Sequence, residues 1–273
     1  MPELPEVETT RRGIAPVLEG STIAAVCVRE RRLRWALAPD FERSLEGRRV
    51  LAVARRAKYL LVHTDGGVLI AHLGMSGSLR VLPAGTPPLT HDHVDLVLDS
   101  GPCIRFNDPR RFGSLHFVPA GADPDAHPLL AKLGPEPLSS AFDGAHLRAR
   151  SRDRRVAVKQ FLMDSHVVVG VGNIYASEAL FRARVRPGRA AGRLTAAECE
   201  RIAAAVKTVL AEAIEVGGTT LRDYVNADGL PGYFRQRLYV YERAGEPCRE
   251  CGKPIRHRVQ GQRSTYWCAT CQA

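Results

Sequence analysis

The 273 residues include 39 Lys or Arg against 29 Asp or Glu, a formal charge of +10 with a sequence pI near 9.6. With 45% hydrophobic and 25% charged residues, the chain lies outside the composition of disordered proteins and has length for about two cored domains at ~150 residues each. No apolar run nears the ~20 residues that cross a bilayer, and MPELPEVETT places glutamates where a signal peptide carries positive charge, so a soluble intracellular protein with a polyanionic partner is expected.

The N-terminus is the first feature in chain order. Loss of Met1 would leave Pro2 as a secondary amine, and an α-amino group titrates near ~8 against ~10.4 for Lys. Such a nitrogen is a ready nucleophile: attack on C1′ of a sugar gives an iminium that acidifies the C2′ hydrogen. Glu3 and Glu6 supply carboxylates nearby to move protons. The alternative is that Pro and Glu here only start a helix, expected over Glu6–Leu18 with Pro5 in its first turn. Strands are then expected at Ile23–Val28, Val50–Val53, Tyr59–His63, Val68–His72, Leu79–Leu82, Val94–Leu98 and Ser114–Val118, broken at Asp65-Gly66-Gly67, Gly77 and Pro83–Pro88. This spacing points to an antiparallel sandwich or barrel. Lys58, one of only five lysines, sits at the mouth of the third strand and counts against the purely helix-starting reading, although a simple phosphate contact would suit it equally well.

Between Pro119 and Pro137 the chain turns rich in Pro, Gly and Asp, and beyond it the period becomes helical. Helices are expected over Val156–Asp164, Asn173–Val185 and Thr195–Val216, the last opened by the capping box Thr195-Ala-Ala-Glu198 and stopped at Gly217-Gly218. Asn173 follows the turn Val169-Gly170-Val171-Gly172, where a helix N-terminus can grip a phosphate or the side chain can simply cap.

Cys248-x-x-Cys251 and Cys268-x-x-Cys271, with 16 residues between the pairs, have the spacing of a four-thiolate zinc ribbon. With every tetrahedral position filled by protein, the single zinc is expected to be structural. The alternative, two disulfides, does not suit a reducing compartment. Cys27, Cys103 and Cys199 are expected to be buried small apolar residues. The segment between the knuckles carries Lys253, Arg256, His257, Arg258 and Arg263 around a Gly261-Gln262 turn, a basic hairpin suited to a DNA groove.

Read together, PELPEVET at residue 2, RRAKYLL at 55, HLGMSGSLR at 72, HDHVDL at 91, NDPRRFG at 107, LGPEPL at 133, VVGVGNIYASEALF at 168, GGTTLRDY at 217 and the cysteine ribbon resemble, in that order, the bacterial formamidopyrimidine-DNA glycosylases. The resemblance spans essentially the whole chain, with residues 139–155 the least distinctive stretch. It implies an α+β protein with an N-terminal antiparallel β-sandwich or barrel domain (1–130), a helical domain with a helix–two-turns–helix motif (131–238) and a four-cysteine zinc finger (239–273).

The resemblance also implies a bifunctional enzyme that excises 8-oxoguanine and formamidopyrimidines from double-stranded DNA and nicks the abasic site by β,δ-elimination. Pro2 would be the Schiff-base nucleophile, Glu3 the acid for base release, Lys58 the proton donor in β-elimination and Arg263 the donor in δ-elimination. Arg263, which does not readily lose its proton, reads physically as a phosphate clamp first. The target base must leave the stack, and by the resemblance Met75, Arg110 and Phe112 match the positions that fill the gap; without it Met75 and Phe112 read as core residues. His72, His91, Arg154, Lys159, Asn173 and Glu6 are expected among further DNA contacts, and Gly217–Tyr224 as a cap over the flipped purine. One zinc per chain, a monomer and a bacterial cytoplasmic, nucleoid-associated location complete the implication. The rivals are an endonuclease VIII-like glycosylase for oxidised pyrimidines, which shares the Pro-Glu start, the lysine and the ribbon; a non-catalytic zinc-ribbon DNA-binding protein; and a purely structural zinc protein.

Overall fold

A computed structural model describes residues 2–219 and 234–273, so the part of the expected purine cap beyond Thr219 lies outside the described residues. The described chain forms two compact units, residues 2–131 with 216–219, and residues 132–215 with 234–273.

The first unit opens with α1 (Leu4–Leu18). Glu3 and Glu6 form a reciprocal capping box and Pro5 lies in the first turn, so the helix starts two residues earlier than its apolar period suggests. Leu4, Val7, Ile14 and Leu18 make its buried stripe. There follow β1 (Ile23–Val28), α2 (Phe41–Leu45), β2 (Val50–Arg56), β3 (Tyr59–Thr64), β4 (Gly67–His72), β5 (Ser78–Pro83), β6 (Asp92–Leu98), β7 (Pro102–Asn107) and β8 (Ser114–Pro119). The strands make two four-stranded sheets, ordered β1-β6-β7-β5 and β2-β3-β4-β8, antiparallel throughout.

Ile23, Leu96, Ile104 and Phe106 of one sheet share a single apolar core with Val53, Leu60, Leu69 and Leu115 of the other and with α1. The unit is therefore a sandwich held by interdigitated inner faces. Strand β7 is absent from the sequence expectation because Arg105 interrupts its apolar run. That arginine is only 2% exposed: it faces away from the core and forks onto Asp95 at 2.8 and 2.7 Å, with Thr86 and Pro87 carbonyls beside it. The expected burial of Cys103 and Cys199 holds, whereas Cys27 is exposed, on the outer face of β1.

The second unit contains α3 (Gly144–Ser151), α4 (Val158–Leu162), α5 (Asn173–Arg182) and α6 (Ala196–Glu215), then the hairpin β9 (Arg256–Gln260) and β10 (Arg263–Trp267). Helix α6 packs on both α3 and α5. Its expected capping box is present, with Thr195 N donating to Glu198 at 2.8 Å and Glu198 N to Thr195 Oγ1 at 3.2 Å. Helix α3, capped by Asp143, falls in the undistinctive stretch of sequence. Cys248 and Cys268 pack with Phe181 of α5, Val240 and Ile255, so the cysteine hairpin shares an apolar cluster with a helix instead of standing alone. Among the described residues no helix is long and apolar enough to cross a membrane.

Candidate active site and nucleic-acid interface

Pro2 and Glu3 are both buried, at the N-terminal end of α1. Glu3 N donates to Glu6 Oε2 at 2.7 Å, while Glu6 Oε1 accepts from Thr219 N at 2.7 Å. Glu6 was expected to be a second proton-moving carboxylate and a DNA contact. Its two oxygens are instead taken up by backbone N–H groups, because a carboxylate 2% exposed must be met by donors. Glu6 thus holds the residues before the start of α1 and ties residue 219 to them. Gly218, at φ +80°, passes so close that a Cβ would lie 2.8 Å from Glu6 Oε1.

Lys58 occupies the two-residue turn between β2 and β3, where Arg56 pairs with Tyr59 and Ala57 takes φ 56°. The turn is tied to α1 through Arg55 and Glu8, two residues whose pairing no local sequence signal shows. Arg55 donates to the Ala57 carbonyl at 2.8 Å and to Glu8 Oε2 at 3.2 Å. Burial works against charge on Glu8, yet hydrogen bonds from Arg11 and Arg12 and the nearby Arg55 guanidinium hold its carboxyl below the ordinary value.

His72, at the end of β4, lies opposite Tyr59 with ring centroids 4.9 Å apart. Its Nδ1 accepts from Gly74 N at 3.0 Å, which places any ring proton of the neutral form on Nε2. Burial first, then the positive charges of Lys58 and Arg34, pull its pKa down to about 4. At neutral pH it is an uncharged partner beside Lys58, so its contact with a phosphate would be a hydrogen bond without charge.

The residues expected to enter the duplex lie on neighbouring turns of the same unit. Met75 is half-buried at the centre of the 73–77 turn, and Arg110 and Phe112 are exposed on the turn between β7 and β8. The Arg110 guanidinium carbon stands 5.0 Å from the Phe112 ring centre. A Cβ on Gly74, at φ +65°, would lie 2.4 Å from Gly113 N, so the two turns touch backbone to backbone and only glycine fits. His91 is exposed on the turn before β6, at φ 74°.

In the second unit Arg263 is exposed beside the Gly261-Gln262 turn, both turn residues having φ near the left-handed region at 56° and 59°. Arg154 is exposed after α3. Asn173 is half-buried at the first turn of α5, its amide donating to the Tyr241 hydroxyl at 3.1 Å. Lys159, expected among the DNA contacts, is 1% exposed, and its ammonium donates to Ser264 O at 2.6 Å and Thr265 Oγ1 at 3.0 Å. A buried ammonium needs acceptors, and here strand β10 supplies them, so Lys159 braces the hairpin next to Arg263.

The Sγ atoms of Cys248, Cys251, Cys268 and Cys271 lie within 4.8 Å of one another. The pairs Cys248–Cys271 and Cys251–Cys268 are 3.9 and 3.4 Å apart. Four thiolates on one zinc at ~2.3 Å stand about 3.8 Å apart, whereas a disulfide requires ~2.05 Å. Burial, then the neighbouring sulfurs, push the Cys271 thiol up to about 12. Such a donor set carries its negative charge only around a cation, and one structural zinc fits it.

Comparisons with known proteins agree along the whole chain. Residues 1–115 match the formamidopyrimidine-DNA glycosylase N-terminal domain, residues 133–225 its H2TH domain and residues 245–273 the zinc finger found in FPG and IleRS. The formamidopyrimidine-DNA glycosylase of Methylococcus capsulatus is 59% identical over 272 residues, covering 100% of each chain. Among solved structures, a variant FPG of Lactococcus lactis in complex with a Fapy-dG containing DNA superposes with a TM-score of 0.91 at 30% identity, covering 99% of both chains. The Lactococcus lactis Fpg bound to DNA containing an abasic site gives 0.90 at 30% identity, again with 99% of each chain covered.

Proposed function

This chain belongs to the formamidopyrimidine-DNA glycosylase family, and on that premise we propose how its residues excise an oxidised purine from double-stranded DNA and open the abasic site that remains. It is a base-excision repair enzyme, both DNA glycosylase and AP lyase, with a zinc-finger module, and its substrates are formamidopyrimidine and abasic lesions in DNA. Its full-length identity to purine-lesion enzymes sets aside the endonuclease VIII-like and non-catalytic readings.

The Pro2 nitrogen, freed by loss of Met1, attacks C1′ of the flipped nucleotide. The bond from C1′ to the base breaks and its electron pair leaves with the base, which takes up a proton. Glu3, buried beside Pro2, is the acid that helps release the base, and the sugar ring oxygen takes up a proton as the ring opens to the iminium. The iminium draws electrons from C2′, whose proton is lost as the 3′-phosphate departs. A second elimination expels the 5′-phosphate, and hydrolysis of the imine returns Pro2.

Lys58 serves as the proton carrier for the first elimination, its cationic neighbourhood matched by a His72 that stays neutral. Arg263 clamps phosphate in the second, as a planar fork of donors suited to an oxyanion. Met75, Arg110 and Phe112 occupy the space of the flipped nucleotide, with Arg110 toward the unpaired partner base. His72, His91, Arg154 and Asn173 hold phosphates around the lesion. The division into a catalytic sandwich at 1–130, a helical DNA-binding part at 131–238 and a zinc finger at 239–273 follows these roles. One chain carries all of them, so the working unit is a monomer acting on the bacterial chromosome.

The observation that carries this reading is the burial of Pro2 and Glu3 together at a helix start whose capping carboxylate, Glu6, is held by backbone on both sides. Borohydride reduction during turnover on a duplex with 8-oxoguanine opposite cytosine should leave a covalent protein–DNA adduct through the N-terminal nitrogen. An absence of adduct with the mature N-terminus present would overturn the assignment of Pro2.

A further inference from the structure

Met75, His91 and the pair Arg110 and Phe112 lie on three turns of the first unit, and all three turns meet at one buried residue that no role above uses. Asp108 is 0% exposed. Its Oδ1 accepts from Ser76 Oγ at 2.9 Å and from Arg110 N at 3.3 Å, and its Oδ2 from Gly113 N at 2.7 Å. Its own N–H donates to the His91 carbonyl at 3.0 Å. Its carbonyl accepts from His93 Nε2 at 2.8 Å and from Arg111 N at 3.1 Å. One residue thereby joins the turn of Met75, the turn of His91 and the turn of Arg110 and Phe112.

We propose that Asp108 is a positioning residue that locks these turns into one preformed wedge, so that Met75, Arg110 and Phe112 enter the duplex in a fixed mutual geometry. The proposal rests on the reading of those three as gap-filling residues. Charge-assisted bonds to a buried carboxylate are short and directional, and nothing about them needs DNA. Turns fixed beforehand do not have to be ordered during the brief opening of the duplex, which is the general advantage of preorganisation. Among the described residues, the Ser76–Asp108 bond is the one side-chain link from the Met75 turn to the carboxylate, and it spans 32 residues of sequence. The close backbone approach of Gly74 to Phe112 and Gly113 gives that link a surface to act across.

The test uses Ser76→Ala, which cuts the link between turns and leaves the carboxylate its two backbone donors, beside Asp108→Asn and Asp108→Ala. Each zinc-loaded full-length variant is assayed on 8-oxoguanine duplexes with cytosine or adenine opposite, and on a single-stranded oligonucleotide carrying a ready-made abasic site, which has no gap to fill. Excision from the cytosine duplex is expected to fall by about tenfold or more for Ser76→Ala and further for Asp108→Ala, with Asp108→Asn between them because it keeps one acceptor. Preference for cytosine over adenine should shrink, while strand scission on the single strand stays within about twofold of the parent.

Equal losses on duplex and single strand, or duplex excision and partner preference untouched in folded variants, would overturn the proposal. Met75→Ala, Arg110→Ala and Phe112→Ala separate it from the reading beneath it. If these reduce duplex excision and the Ser76 and Asp108 variants do not, the positioning role alone fails. If all leave duplex excision unchanged, the gap-filling assignment fails and the proposal with it.

Discussion

At the scale of single residues, burial decides which ionisable groups carry charge. His72 titrates near 6.5 when unfolded but is drawn down to about 4 in the fold, by burial first and then by Lys58 and Arg34. Between those two values the unfolded chain holds a proton that the folded one does not, so stability contributed above pH 6.5 is lost as pH falls toward 4. The full difference is up to about 3 kcal/mol. His72→Gln keeps a side-chain acceptor near Gly74 and removes the titration, so its urea midpoint should change less than the parent's between pH 7 and pH 5. Equal slopes for the two proteins would mean that His72 is not held neutral. Glu6 makes the complementary point: its chemistry as a carboxylate is real, but two backbone donors use it, one of them 213 residues away.

At the scale of elements, buried polar side chains do the joining. Glu178 of α5 is 1% exposed and accepts from the backbone N–H groups of Tyr239, Val240 and Tyr241 at 2.8, 3.0 and 2.9 Å. Burial raises its pKa even against these three bonds. It anchors the strand of chain that leads into the cysteine hairpin, and Lys159 of α4 anchors the hairpin's second strand. Lys159→Met keeps the bulk and removes both donors, leaving buried acceptors unmatched at ~1–3 kcal/mol. Hydrogen exchange at residues 263–265 should quicken, and more product should stop after the first elimination, since Arg263 is the next residue along. Unchanged exchange there would show that the two bonds do not hold the strand.

At the scale of the whole molecule, the +10 charge and the cysteine cluster bear on how the protein is expected to bind DNA. Contacts of Lys and Arg with phosphates release counterions, so the logarithm of affinity should fall linearly with that of salt, by about one unit per phosphate neutralised. The four cysteines pack with Phe181, Val240 and Ile255, and on removal of their cation the sulfurs take up protons and the bonds that tie the two knuckles together are lost. Treatment with a thiol-reactive mercurial should release one zinc per chain and abolish duplex binding, while the sandwich, which has its own core, keeps its β-sheet circular dichroism. Binding that survives zinc release would place the hairpin outside the interface.

Much of this was legible in the linear chain, because the signals involved are local. Two cysteine pairs at fixed spacing make a tetrahedral thiolate set, alternating apolar residues make most of the sandwich strands, and a Thr-x-x-Glu box starts α6. What escaped depends on partners distant in sequence. Strand β7 was hidden because Arg105 breaks its apolar run, and only Asp92 and Asp95 on the neighbouring strand explain why an arginine is buried there. Lys159 reads as a free cation until Ser264 and Thr265 close over it, 105 and 106 residues away. Sequence alone determined the metal ligands and the fold class, since residue type and local spacing set both. Tertiary structure decided which of its charged groups remain available for chemistry, because a buried charge must be met by partners that only folding brings within reach.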